Sequence, residues 1–489
     1  MLFNSYIFIF LFFPFVLLGY YGLNYIKQYK LALGYITGMS LWFCGYTCLD
    51  YLVILLLSIL VNFLLTEAMV RVQGGIGRKS LLAAGLLWNI GGLFCFKYFD
   101  FFAENINEVF HTDITLLRLV LPLGISFYTF QQLSYVIDSY RGDCEKYSLL
   151  EYTAYVTFFP KLIQGPIVYH HELIPQLRKE ENRRLNYDNL SKGIYAFALG
   201  LAKKVLIADT FSKIVAIGYN NVKDLNTTSA ILVMIAYSLQ IYFDFSGYCD
   251  MAYGMGYCFN IELPINFNSP YKAQSIMEFW DRWHMTLTRF FTKYVYIPLG
   301  GNRKGILRTY LNVMIVFLIS GLWHGANWTF VLWGVIHGVV DVLERCKPIK
   351  CVLAKMPKAI RIVGTFALVT FAWSLFRAES IEQAELLWNR VFEADWGSIY
   401  TPITEVFNDM IEVKLLYRLG LDNLIMSYPG LLLIIFMLIV LAACFVMKNT
   451  QEKVRDMKFT NWKIFTIVLL MVWSMISLSE VSQFLYSNF

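Results

Sequence analysis

Six histidines fall in this sequence, and one of them sits where it is hardest to explain. His324 lies in "SGLWHGANWTF" (320–330), between the apolar runs "YLNVMIVFLI" (310–319) and "VLWGVIHGVV" (331–340). Imidazole titrates near neutrality and can take up a proton there. An ionisable group inside an apolar span is costly and by default marks a functional site. The competing reading is a histidine that donates to a carbonyl while Gly321 and Gly325 let helices pack closely. It accounts for the glycines and leaves the imidazole over.

Two further clusters could carry chemistry. In "FWDRWHMTLTRFF" (279–291), His284 stands beside Asp281, Arg282 and Trp283, with Arg289 and Lys293 following. An amphipathic interfacial helix explains Trp280, Trp283, Arg289 and Lys293, but not His284 or Asp281. In "IYFDFSGYCDMAYGMGY" (241–257), Asp244 and Asp250 end an apolar run, with Tyr242 and Ser246 alongside. Buried carboxylates need partners or water, so Asp244 could orient a histidine, line a polar cavity or cap the span. His337 and Asp341 share a helical face and read as a mutually satisfied pair. His170 and His171 read as structural or interfacial, and His111 falls in an acidic loop.

No Ser-His-Asp order, G-x-S-x-G elbow, phosphate-binding glycine loop or metal-ligand spacing is present, and the nine cysteines form no C-x-x-C pair. What remains is a histidine base, which can deprotonate a hydroxyl for attack on an activated acyl group. A thioester donor would need no metal and no permanently bound cofactor.

The elements that must hold these residues are membrane elements. Only 16% of the 489 residues are charged and 57% are hydrophobic, against roughly a quarter charged in soluble domains. The net charge of +6 is spread over short loops without a basic stripe, which argues against a nucleic-acid partner. Apolar stretches of spanning length lie near 3–22, 31–47, 50–69, 80–98, 114–137, 193–217, 228–249, 308–325, 329–344, 360–377, 429–447 and 462–480. The composition predicts an all-α polytopic membrane protein with roughly 11–12 spans, read as a single membrane domain over 1–489. The N-terminus lacks a basic n-region and a small-residue cleavage site, and reads as a retained first span.

Basic loops at 26–30, 71–79, 176–188, 345–350 and 448–458 face the cytoplasm by the positive-inside rule. The segment 378–428 is external; it carries nine acids, Asp409 and Asp422 among them, against Arg390, Lys414 and Arg418. Two regions break the alternation, 148–170 with Pro160, Gly165 and Pro166, and 251–307. Both read as re-entrant or interfacial. Irregular backbone at membrane depth survives only where protein buries it or where it lines a cavity, so a cavity is expected.

The ordered set "LPLGISFYTFQQLSYVIDSYRG" (121–142), "YFDFSGYCDMAYGMG" (242–256), "FWDRWHMTLTRFFTKYVYIPLGGNRKG" (279–305) and "GLWHGANWTFVLWGVIHG" (321–338) closely resembles the membrane-bound O-acyltransferases, in the branch of the alginate O-acetylation membrane subunit. The motif core covers about 120–345. By motif position the resemblance implies that His324 is catalytic and His284 is the second important histidine. It implies spans around a central tunnel, to whose lining we assign Tyr242, Asp244, Ser246, Asp281, Trp283, Trp323 and Asn327. The expected reaction moves acetyl from acetyl-CoA, or another cytoplasmic acyl thioester, to an extracytoplasmic polysaccharide. A secreted or membrane-anchored acetyltransferase partner and a bacterial cytoplasmic membrane location go with it, the lipid bilayer being the surroundings. D-alanyl transfer from a carrier-protein thioester to teichoic acid is the nearest alternative. A lipid or sugar transporter would show paired Gly- or Pro-broken helices in two halves, and none stands out.

Overall fold

The computed structural model describes all residues except 47, 73, 409, 421–427, 429, 459, 479–481, 483 and 486–489. Asp409 and Asp422 of the acidic segment therefore lie outside the described residues. The chain forms two compact units. One takes in Met1–Ala198 and Tyr248–Ile265, the other Leu199–Gly247 and Asn266–Leu485.

The first unit holds α1 (Ile7–Tyr25), α2 (Tyr29–Gly45), α3 (Leu49–Arg71), α4 (Gly75–Phe110), α5 (Ile125–Arg141), α6 (Leu149–Thr157), α7 (Phe159–Leu162), α8 (His170–Arg178) and most of α9 (Tyr187–Ala202). The second holds α10 (Asp209–Asn220), much of α11 (Thr227–Cys258), α12 (Ile276–Arg282), α13 (Met285–Phe291), α14 (Ile306–His324) and α15 (Trp328–Arg345). It continues with α16 (Lys358–Arg377), α17 (Ile381–Phe392), α18 (Leu431–Val446) and α19 (Asn461–Ile476). Among the described residues there is no β-strand, as expected for a chain whose backbone groups must be satisfied within each span. Among the described residues, six helices are long and apolar enough to cross a membrane: α1, α3, α4, α11, α14 and α16. The other expected spans coincide with shorter or more polar helices.

Three boundaries differ from expectation. The acidic loop expected around His111 is largely helical, because α4 runs on to Phe110. The span placed at 114–137 begins as irregular backbone. The chain turns at Gly124, whose φ is +74° and where a Cβ would lie 2.8 Å from the Leu162 carbonyl oxygen, so α5 starts only at Ile125. The polar-looking 251–258 is not a break but the last two turns of α11. Its glycines serve close approach: a Cβ at Gly254 would lie 2.5 Å from the Gly193 carbonyl oxygen of α9.

The proline-rich region is irregular where the sequence suggests. α6 opens with a capping box in which the Ser148 amide donates to Glu151 Oε2 (2.8 Å) and the Glu151 amide to Ser148 Oγ (3.3 Å). The helix breaks at Phe158, and after α7 the backbone is irregular up to His170. Every residue from 158 to 170 is buried, which is the condition for irregular backbone at membrane depth.

A polar network ties α3, α4, α5 and α6 together. Asn62 Nδ2 donates to Asn89 Oδ1 (3.2 Å) and Gln132 Oε1 (3.0 Å), and Asn89 Nδ2 donates back to Asn62 Oδ1 (2.6 Å). Gln132 Nε2 reaches Ser58 Oγ (3.0 Å), and the Tyr152 hydroxyl donates to Gln132 Oε1 (3.2 Å). Asn62→Leu removes a hydrogen-bond partner from each of two buried amides, Asn89 and Gln132, and should lower stability by about 1–2 kcal/mol. The melting temperature of the detergent-solubilised protein reads this, with exposed Asn302→Ala as the unaffected control.

Candidate functional site

The centre of the second unit is the α14–α15 hairpin. A Cβ at Gly321 would lie 2.3 Å from the Phe330 carbonyl oxygen, and one at Gly334 would lie 2.5 Å from that of Phe317. The two backbones therefore touch, as small residues permit between membrane helices. α14 ends at His324, with Gly325 extended and its amide bonded to the Gly321 carbonyl (3.3 Å). Asn327 caps α15: its Oδ1 accepts from the Thr329 amide (2.9 Å) and its Nδ2 donates to the Glu379 carbonyl (3.0 Å).

This turn seats His324 in a wall of rings. It is 2% exposed, with Trp323, Trp333 and Phe376 at centroid distances of 4.9, 5.2 and 5.0 Å. Trp333 is fully buried, and its Nε1–H has no acceptor among the described residues. A buried donor without an acceptor costs about 1–3 kcal/mol, so the wall is poised to receive a polar atom.

His284 reaches the same place from another element. It is fully buried, and its ring lies 6.1 Å from that of Trp323 and 4.8 Å from that of Phe245. The two histidines, 40 residues apart in sequence, thus share one indole. The backbone of His284 is left-handed (φ 47°, ψ 48°), a conformation that costs a non-glycine residue about 1–2 kcal/mol. Strain of this kind concentrates at functional positions.

What holds it is Asn266. The Met285 amide bonds to the Asn266 carbonyl (3.0 Å), and Phe267 pairs with Trp283 in an isolated antiparallel bridge. The side chain of Asn266 then fixes the tautomer. Its Oδ1 accepts from the Thr286 amide (3.3 Å) and hydroxyl (2.9 Å), so the 3.1 Å contact to His284 Nδ1 has the imidazole N–H as donor. That leaves Nε2 as the basic nitrogen. Burial pushes the His284 pKa below imidazole's ordinary value, and the ring is neutral near pH 7.

The remaining sequence candidates divide. Trp283 (fully buried) and Tyr242 pack together (6.1 Å), and Trp283 continues through Trp373 (5.0 Å) and Trp333 (5.7 Å) to His324. Ser246 is buried, and its Oγ has no hydrogen bond among the described residues. Asp244 does not orient a histidine. It pairs with Lys204 Nζ (2.7 Å), which also binds Asp209 (2.8 Å), and its Oδ2 accepts from the Leu485 amide (2.9 Å). Asp281 is exposed, and its carboxyl is pushed above the usual range by partial burial and by the Asp341 carboxylate. The expected His337–Asp341 pair is not formed. His337 Nδ1 accepts from Trp280 Nε1 (3.3 Å), while Asp341 is bound by Arg345 one turn on, a stronger charged partner.

In the first unit, Asp138, His170 and His171 bring potential metal-ligand atoms within 4.8 Å of one another. His170 Nδ1 lies within hydrogen-bond distance of the Tyr147 hydroxyl (3.0 Å), and its Nε2 stands 3.4 Å from Asp138, an ion-pair contact.

Asn266, Trp333 and Phe376 escaped the sequence reading. Asn266, in "LPINFNSPY", follows no helical or strand period. Trp333 had a signal: Gly321 and Gly334 together mark a close crossing, which places position 333 against 324.

Residues 138–378 match the model of the membrane-bound O-acyltransferase family. Over its full length the chain is 37% identical to a peptidoglycan O-acetyltransferase of Helicobacter pylori, of which 98% is covered. A probable alginate O-acetylase of Pseudomonas aeruginosa is 36% identical over 80% of this chain and 75% of its own. A teichoic acid D-alanyltransferase of Bacillus subtilis is 27% identical over 46% of this chain and 58% of its own.

The hairpin contact makes the seat of His324 intolerant of side chains. Gly334→Val forces the two backbones apart and should destabilise by at least about 1–3 kcal/mol. Gly364→Val, on α16 with open space around its Cα, should not. Comparing their melting temperatures in the same detergent checks both.

Proposed function

Because the chain belongs to the membrane-bound O-acyltransferase family and is itself a multi-pass membrane O-acyltransferase, we propose that it moves acetyl from a cytoplasmic thioester to hydroxyls of an extracytoplasmic polysaccharide. The donor is acetyl-CoA and the membrane is the bacterial cytoplasmic membrane. The names of the relatives that cover most of the chain, for peptidoglycan and alginate acetylation, support acetyl and a polysaccharide. Transfer is direct or through a secreted or membrane-anchored acetyltransferase, for which the acidic 378–428 is the docking surface.

One observation carries the chemistry: two buried histidines flank Trp323, one of them with its basic nitrogen set by a fixed tautomer. His324 takes the proton of the acceptor hydroxyl as its oxygen attacks the thioester carbonyl. The carbon–sulfur bond breaks, and the thiolate leaves with the proton that His324 returns. His284, neutral with Nε2 basic, positions the acceptor or passes the proton. The acceptorless Trp333 N–H is a donor for the acyl oxygen, where negative charge develops. Burial of the seat among aromatic rings strengthens each of these interactions. The tunnel lining is drawn from Tyr242, Trp283, Trp323 and Ser246. Asp244, Asp281 and Asn327 support the site from outside it, through an ion pair, an exposed edge and a helix cap.

His324→Ala should lower polymer O-acetylation about 10²–10⁴-fold while membrane insertion is retained. The O-acetyl content of isolated polymer measures it, and a wild-type level would sink the assignment. Asn266→Leu frees the tautomer of His284 and should give a smaller loss of rate, with its pH profile altered.

A further inference from the structure

In the first unit the end of α5 and the start of α8 meet at Asp138, His170 and His171. We propose that these three side chains bind an exchangeable divalent cation of the zinc class, which clips α8 to α5 across the irregular segment between them.

Around a tetrahedral zinc ion, bonds of about 2.0–2.1 Å hold neighbouring ligand atoms about 3.3 Å apart. His170 Nε2 and Asp138 Oδ2 stand 3.4 Å apart. The third atom, on His171, lies within 4.8 Å of both, and the two imidazoles meet edge to face with centroids 5.2 Å apart. His171 is exposed, so its ring has room to turn inward and the ion has a way in from solvent. Asp138 and His171 engage other neighbours as well, which metal ligands commonly do. Three protein ligands leave the fourth position to water. Two imidazoles and a carboxylate are donors of intermediate softness, suited to zinc, cobalt or iron(II) rather than to calcium or copper(I).

A buried ion pair between a histidinium and Asp138 is the competing arrangement. It would draw nitrogen and oxygen to about 2.7–2.9 Å, with the hydrogen aimed along the line between them. His170 is fully buried, and its Nε2 makes no hydrogen bond among the described residues. A buried polar atom in that position is costly until something satisfies it. On the other side of the ring, Nδ1 is 3.0 Å from the Tyr147 hydroxyl. With the ring proton on Nδ1 and donated to that oxygen, Nε2 turns a lone pair towards the carboxylate. The two repel, and a cation between them turns the repulsion into attraction. Metal-bound histidines use this same tautomer and outer contact. Arg178 lies over the Tyr147 ring (5.2 Å), but Glu145 (3.0 Å) and Glu151 (2.7 Å) offset its charge.

Between the ligands the chain forms α6, breaks at Phe158 and runs irregularly from α7 to His170. Such a segment has no continuous helical ladder, and tying its two ends removes chain entropy from the opened state. The ligands stand far apart in sequence, so no metal-ligand spacing is visible there.

Tag-free full-length protein in detergent, stripped with a chelator, is titrated with Zn²⁺ and with Co²⁺. The wild type should take up a single ion of either kind. His171→Ala should bind it at least about ten- to a hundredfold more weakly, no less than losing an outer-shell partner costs. His171 is exposed, so this exchange leaves the packing of the unit in place. His111→Asn, exposed in the same unit and suited to the left-handed backbone there, should bind as the wild type does. A wild type that binds neither ion overturns the proposal, and so does unchanged affinity in His171→Ala. Equal weakening in both variants marks an adventitious surface ion only and overturns it as well. Amide hydrogen exchange reads the clip: Zn²⁺ should slow exchange along 142–178 in the wild type and not in His171→Ala. Binding without that protection refutes the clip.

Discussion

The contact on which the second unit depends is between two backbones, where Gly321 of α14 and Gly334 of α15 lie against the carbonyls of the facing helix. No side chain can be placed at either point without moving a main chain. In a bilayer, where lipid tails are as apolar as leucine, such close packing is a main source of helix association. Once the two helices touch, the large residues must go to the sides of the seam. Trp323, Trp333 and Phe376 gather there around His324. The ring wall is the consequence of the glycine seam.

The polar groups inside both units follow a common rule of pairing, since each would be expensive alone in hydrocarbon. Lys204 is shared by Asp244 and Asp209, and Asn62 by Asn89 and Gln132. His337 takes the N–H of Trp280. Against that background the buried indole N–H of Trp333 and the Ser246 hydroxyl are exceptions, neither having a hydrogen-bond partner among the described residues.

Much of the architecture was legible in hydropathy. The apolar runs marked where helices lie, and the prolines of 158–170 marked where the backbone turns irregular. Glycine-rich polarity misled at 251–258, because glycine in a helix can mean a close neighbour as well as a break. Histidines 284 and 324 were conspicuous by type alone, yet nothing in the chain told that one indole would lie between them. Partners were the least legible. Helical spacing put His337 and Asp341 on one face, but Trp280, far away in sequence, and Arg345, one turn on, took them instead. Asn327 reads as a sequon, N-W-T, and its side chain is spent on the amide of that same threonine as a helix cap.

The left-handed backbone at His284 limits what can stand at that position. A residue there must adopt positive φ, which glycine, asparagine and aspartate do at least cost, although Ala394 and Lys27 are held there elsewhere in the chain. Drift through β-branched residues such as valine is opposed by the main chain before chemistry is consulted. An alanine exchange consequently mixes two losses, the imidazole and the turn that carries it, and glycine or asparagine is the cleaner probe. The geometry acts as a filter on mutation, so the identity of residue 284 is constrained twice over by independent means.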